Sequence, residues 1–187
     1  MKTAILIDGA NTHGAAKALG YVIDYGAVLK IFTDDTSPLG FYYTAILLEA
    51  DGTNSLQTII DWLSYNGYKV ITKDSKSFED RLTGLTKVKG NMDIEIAVHA
   101  MELSEYVDRI ILFSGDGDFT CLIAALRMRG VHTTVVSTMS FVADELRRTC
   151  DVYMDLLQLR PSIERVFDGQ AEGRRQRLDP TTRRPRP

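Results

Sequence analysis

The chain alternates two apolar patterns. Short β-branched and apolar runs fall at residues 3–7 ("TAILI"), 41–48 ("FYYTAILL"), 68–72, 109–113 ("RIILF") and 131–136. They read as strands, the least interrupted of them buried on both faces. Between them, apolar residues recur at helical spacing over 23–32, 54–65, 92–105, 119–129 and 141–148, and residues 152–159 form a last short element. Boundary signals agree with these spans: Asp24 and Asn54 or Ser55 are placed to cap helices, and Asn66-Gly67 and Gly130 to stop them. There is no internal repeat. Strands alternating with helices predict an α/β fold with a mostly parallel central sheet covered on both faces. In such sheets, sites form beyond the carboxyl ends of the strands, where strand order reverses. With strands 3–7 and 109–113 taken as neighbours at that point, Asp8 meets Asp116 and Asp118 at one edge.

Composition adds a boundary and a charge asymmetry. At 187 residues, 44% hydrophobic and 25% charged, the chain suits one domain with a sizeable core. That domain is expected over residues 1–160, followed by a basic, Pro/Arg-rich, disordered tail over 161–187. The last 20 residues carry six Arg against three acids, so the rest of the chain is net acidic by about six charges. A basic tail suits nucleic acid as an electrostatic tether or is simply a solvated chain end. An acidic globule repels phosphates, so a nucleic-acid function needs cations at the site. No run approaches the roughly 20 apolar residues of a membrane span, and Asp8 breaks the amino-terminal run too early for a signal peptide. Cys121 and Cys150 fit no metal-ligand spacing, and Cys121 is expected in the core. A cytoplasmic setting is expected.

The candidate chemistry lies in four aspartates. Asp8 follows the first strand in "ILIDGANT", where Asp-Gly is also ordinary turn chemistry, and Asn11 or Thr12 is placed to cap a following helix. Asp116 and Asp118 lie in "FSGDGDF", where like charges so close repel unless something offsets them. Asp118 suits the N-cap of the helix at 119, which leaves Asp116 without a structural role. Asp93 opens the helix 92–105 about 160–180° from Glu95 and Glu102 at 3.6 residues per turn, toward the buried face. An unpaired carboxylate there costs several kcal/mol, so Asp93 either caps the helix or binds metal. Four acids at strand ends and helix starts facing one sheet edge fit a divalent ion, Mg²⁺ or Mn²⁺, better than four separate caps. His13, His99 and His132 make no zinc pattern, and there is no P-loop, dinucleotide fingerprint or serine elbow.

The segments "ILIDGANT", "KGNMDIEIAVHAMEL", "ILFSGDGDF" and "VVSTMSFVADELRRTCDVYMDL" together resemble the LabA-like NYN domain family, a branch of the PIN-like metal-dependent nucleases. The resemblance spans roughly residues 1–159. It implies a three-layer α/β sandwich, an acidic pocket holding Mg²⁺ or Mn²⁺, and hydrolysis of RNA phosphodiester bonds. By position it makes Asp8, Asp93, Asp116 and Asp118 the catalytic, metal-ligating acids. Asn11 matches the polar residue after the first acid, and Ser114 the residue leading into the last acidic motif. Many similar chains carry aspartate where this one has His99, which is read here as pairing with Glu95 one turn away.

These readings make a metal-dependent ribonuclease, with Asn11, Ser114 and His99 around the site to orient ligands or water. Lys87 and Lys89 either contact phosphates or are solvated. The expected partner is RNA, single-stranded or structured, with a homodimer left open. The alternative is an RNA-binding or regulatory module without turnover. A small-ester phosphohydrolase fits less well. "DGANT" replaces the DxD that haloacid dehalogenases need after the first strand, and "VVSTMS" lacks the lysine of receiver domains.

Overall fold

The structure, a computed structural model, describes residues 1–33, 36–46, 54–79 and 86–166. Six strands form one sheet: β1 (Thr3–Asp8), β2 (Leu39–Ile46), β3 (Tyr68–Asp74), β6 (Arg109–Phe113), β7 (His132–Ser137) and β8 (Val152–Asp155). They lie in the order β3-β2-β1-β6-β7-β8, and every pairing is parallel. A small antiparallel pair, β4 (Lys76–Glu79) and β5 (Thr86–Lys89), stands apart from it. The helices are α1 (Gly9–Ala18), α2 (Tyr25–Ile31), α3 (Gln57–Tyr65), α4 (Asp93–Leu103), α5 (Thr120–Met128), α6 (Asp144–Thr149) and α7 (Leu156–Ile163).

The period of two along each strand builds the layers. Ala4, Leu6, Phe41, Tyr43, Ile110, Leu112 and Val135 face one core, which Ile96 and Ala100 of α4, Ile123 and Leu126 of α5 and Leu146 of α6 close. The alternate positions Ile5, Ile7, Tyr42, Ile111, Phe113 and Val136 face a second core, closed by Ala15 and Ala16 of α1, Val28 of α2, Leu63 of α3 and Ile163 of α7. The result is the expected three-layer α/β sandwich. β1 and β6 are central, and their inner residues, 4–7 and 110–113, are apolar and buried on both faces. The edge strand β3 carries Lys69, Lys73 and Asp74 on its exposed positions.

Several boundaries differ from the sequence reading for local reasons. α1 follows β1 directly, although "GANTHGAAKA" has only small residues to mark a buried face. The helix expected from residue 23 starts at Tyr25 because Asp24 is its cap and accepts from Ala27 N–H. The helix expected from 141 starts at Asp144, and the preceding residues turn back onto Gly115. The last element divides into β8 and α7, with Ile163 fully buried and Ile23 bridged to Glu164. Cys121, expected in the core, is exposed on α5. The carboxyl-terminal stretch from residue 167, which holds the Arg-rich tail, lies outside the described residues.

Two glycines are required by close approach. A Cβ on Gly9 would lie 2.6 Å from Tyr42 Oη, and one on Gly115 would lie 2.3 Å from the carbonyl oxygen of Phe141 and 2.6 Å from Ser137 Oγ. The backbone at Phe141 cannot yield without moving the turn after β7. Gly115→Ala is therefore expected to lower stability by about 2 kcal/mol or more, read by chemical denaturation. A loss under a few tenths would show that this turn is loosely held.

Candidate active site at the switch point of the sheet

Strand order reverses between β1 and β6. The chain runs from β1 outward to β2 and β3 on one side, and from β6 outward to β7 and β8 on the other. The β1–β6 pairing, Ile7 opposite Phe113, places Asp8 beside the turn Ser114–Asp118, the adjacency expected from the sequence.

Hydrogen bonds weld this edge. Asp8 Oδ1 accepts from Asn11 N–H at 3.2 Å and so caps α1, while Asp8 Oδ2 accepts from Ser114 Oγ at 3.1 Å. Asn11 does not cap its helix: its Oδ1 accepts from Gly115 N–H at 2.9 Å. Thr12 Oγ1 donates to the carbonyl of Phe113 at 2.9 Å. Ser114 Oγ also accepts from Asp116 N–H at 3.2 Å. Every polar residue of "DGANT" is thus tied to "FSGD" across the switch point.

The roles of the last two acids are the reverse of those expected. Asp116 is the cap: its Oδ1 accepts from Asp118 N–H at 3.0 Å and closes the 3-10 turn Gly117–Phe119. Asp118 sits inside that turn, exposed, and makes no capping bond. Asp93 does not cap α4 either. The N-cap position is Met92, and Asp93 Oδ2 accepts from Asn91 Nδ2 at 2.6 Å.

Asp93, Asp116 and Asp118 each offer a carboxylate oxygen, and the three atoms lie within 4.8 Å of one another. Three carboxylates at that spacing suit a hard divalent cation. Asp8 stands outside this group of three, but its charge couples to it. Burial, and to a lesser degree the charge of Asp116, push the Asp8 carboxyl above its usual range. Burial raises Asp93 as well, followed by the charges of Asp116, Asp8 and Asp118. Among the described residues no lysine or arginine pairs with any of the four. All the hydrogen bonds they accept come from neutral donors.

His99 lies elsewhere on α4. Its Nδ1 is 2.7 Å from Tyr43 Oη, and its ring meets Phe41 edge-on at 4.5 Å. Burial, and after it the charge of Lys69, lowers its pKa. Its expected partner Glu95 instead bonds Lys73 Nζ of β3 at 2.7 Å. Lys87 and Lys89 belong to β5, and their side chains lie outside the described residues. A broad surface depression of about 550 Å³, beside Arg127, Met128, His132 and Asp151, is at the opposite, amino-terminal edge of the sheet.

The NYN domain model matches residues 2–157. The chain belongs to the NYN domain family. That family is PIN-like and nuclease-related. The chain is 36% identical to Low amplitude and bright protein LabA of Synechococcus elongatus over 169 residues, 88% of this chain and 89% of the relative. A crystal structure of a Vibrio parahaemolyticus protein of unknown function superposes with TM-score 0.68 at 25% identity, covering 83% of this chain and 92% of the other.

The unbalanced charge sets the pH dependence of stability. Because folding raises the pKa of Asp8 and Asp93, their favourable contribution is complete below the ordinary carboxylate pKa and is lost as pH rises through the raised values. The metal-free NYN domain should therefore lose melting temperature from about pH 4 toward neutrality on account of this pair. At pH 7, Mn²⁺ or Mg²⁺ should raise the melting temperature, Asp93→Asn should raise it without metal, and Asp93→Asn should flatten the response to metal. A metal response in Asp93→Asn equal to that of the wild type would remove Asp93 from the ligand set.

Proposed function

We propose that the protein is a divalent-metal-dependent ribonuclease that hydrolyses RNA phosphodiester bonds at the acidic edge of the sheet. The observation that carries this reading is the convergence of Asp93, Asp116 and Asp118 oxygens within 4.8 Å of one another, in a member of a nuclease family. These three would hold Mg²⁺ or Mn²⁺, and Asp8 is the fourth acid of the proposed set, held by Asn11 N–H and Ser114 Oγ. When bound, the ion lowers the pKa of a water and offsets charge on the scissile phosphate.

The chain supplies position and charge, with no protein nucleophile. Ser114 and Asn11 hold Asp8 and the backbone at Gly115, so the acids on β1 and after β6 keep their spacing. Asn91 holds Asp93 at the start of α4. The edge is open and Asp118 is exposed, which suits single-stranded or looped RNA better than a stiff duplex. Lys87 and Lys89, on the strand that leads toward α4, would meet neighbouring phosphates. His99 is engaged with Tyr43 and Phe41 rather than with the carboxylates. Endonucleolytic action in a cytoplasmic setting completes the proposal.

Asp116→Asn keeps the oxygen that caps the turn and removes the charge. The expected result is loss of Mn²⁺-dependent cleavage of a labelled, partly single-stranded RNA by about 10²-fold or more, with the fold intact by circular dichroism. Cleavage by Asp116→Asn at the wild-type rate, or by wild type in excess chelator, would sink the mechanism.

A further inference from the structure

The turn between β7 and α6 lies against the acidic edge, and it carries an aromatic ring. Phe141 is 39% exposed and its neighbour Met139 is 57% exposed. Exposed rings are common on surfaces, but the backbone that carries this one is tightly bonded. Phe141 N–H and Val142 N–H both donate to the carbonyl of Thr138, at 3.0 and 2.9 Å, and Thr138 Oγ1 lies 3.0 Å from Ser140 Oγ. Ala143 N–H donates to the carbonyl of Gly115 at 2.9 Å, and the carbonyl of Phe141 presses on Gly115 where a Cβ would stand. Gly115 lies between Ser114, which bonds Asp8, and Asp116. The backbone that carries the ring is therefore fixed to the same turn that presents the acids.

The ring is partly exposed. One edge rests toward α1, where a Cβ on Gly14 would lie 3.4 Å from Phe141 Cε1. Gly14 is one turn beyond Asn11, whose amide oxygen bonds Gly115 N–H. Any side chain at position 14 would meet this edge of the ring. We infer that Phe141 is a stacking platform for a nucleobase of single-stranded RNA, next to the phosphate held at Asp93, Asp116 and Asp118. The inference rests on the ribonuclease reading and adds a substrate contact to it. Every base has a π-face, so a fixed ring gives affinity for unpaired strands with little sequence preference. It also disfavours duplex, whose bases are already stacked. An acidic edge gains little from phosphate attraction, so a stacking contact supplies binding that the local charge does not.

The test compares wild type, Phe141→Ala, Phe141→Leu and Phe141→Trp on a short single-stranded RNA with Mn²⁺. The expected result is KM raised about ten-fold in Phe141→Ala and Phe141→Leu, with kcat and the Mn²⁺-induced melting shift close to wild type. Phe141→Trp should restore KM. With Trp62 replaced by Phe, its emission should be quenched by the RNA and not by an abasic strand of equal length. Wild-type KM in Phe141→Ala, or full rescue by Phe141→Leu, overturns the platform and leaves the nuclease intact. Absence of any RNA binding or cleavage by wild type overturns the ribonuclease reading and the platform with it.

Discussion

The parallel pairing of β1 with β6 is the constraint on which the site depends. It sets Ile7 against Phe113, so the residues that leave the carboxyl ends of the two strands must share one edge. Those residues are Asp8 on one side and Ser114–Asp118 on the other. Ser114 Oγ donates to Asp8 and Gly115 N–H to Asn11, and Thr12 Oγ1 donates back to the Phe113 carbonyl, so the two segments are held from both sides. α4 enters from the β5 side and adds Asp93. The layers of apolar residues above and below the sheet hold this edge in place; Asp8 and Asp116 add caps, set against the mutual repulsion of the acids. Folding to this arrangement raises the Asp8 and Asp93 carboxyl groups, through burial first and the neighbouring acids after it.

Much of the fold is legible in the sequence because central strands of a parallel sheet have no polar option. "TAILI" and "RIILF" could be little else, and the glycine and asparagine stops at 66–67 and 130 end helices where expected. α1 is not marked as an element because Ala15, Ala16, Thr12 and Gly9 make its buried face, and small residues give weak periodicity. β4 and β5 leave no mark either, since four-residue strands such as "KSFE" and "TKVK" have no apolar run. Cys121 falls one helical position away from the core face, which Leu122 and Ile123 take beside it.

The site is legible as residue types and less so as roles. Asp8, Asp116 and Asp118 stand out because turns at the ends of buried strands do not ordinarily gather charge. Which of them caps a turn is not readable, since Asp116 and Asp118 are two residues apart and the 3-10 turn that separates their duties has no signature of its own. Helical spacing allows His99 to face Glu95. The sheet beneath offers Tyr43 Oη to the histidine and Lys73 to the glutamate, two partners that spacing along one helix cannot reveal. The grip of the Phe141 turn on Gly115 is hidden for the same reason, being a contact between residues 26 positions apart.

The central claim is a metal ion among the carboxylates of Asp93, Asp116 and Asp118. Anomalous diffraction from crystals grown with Mn²⁺ tests it most directly. The expected result is Mn²⁺ bound by oxygens of all three, at the edge where β1 and β6 end. Mn²⁺ absent from that edge, in crystals of protein that cleaves RNA with Mn²⁺ in solution, would contradict the claim.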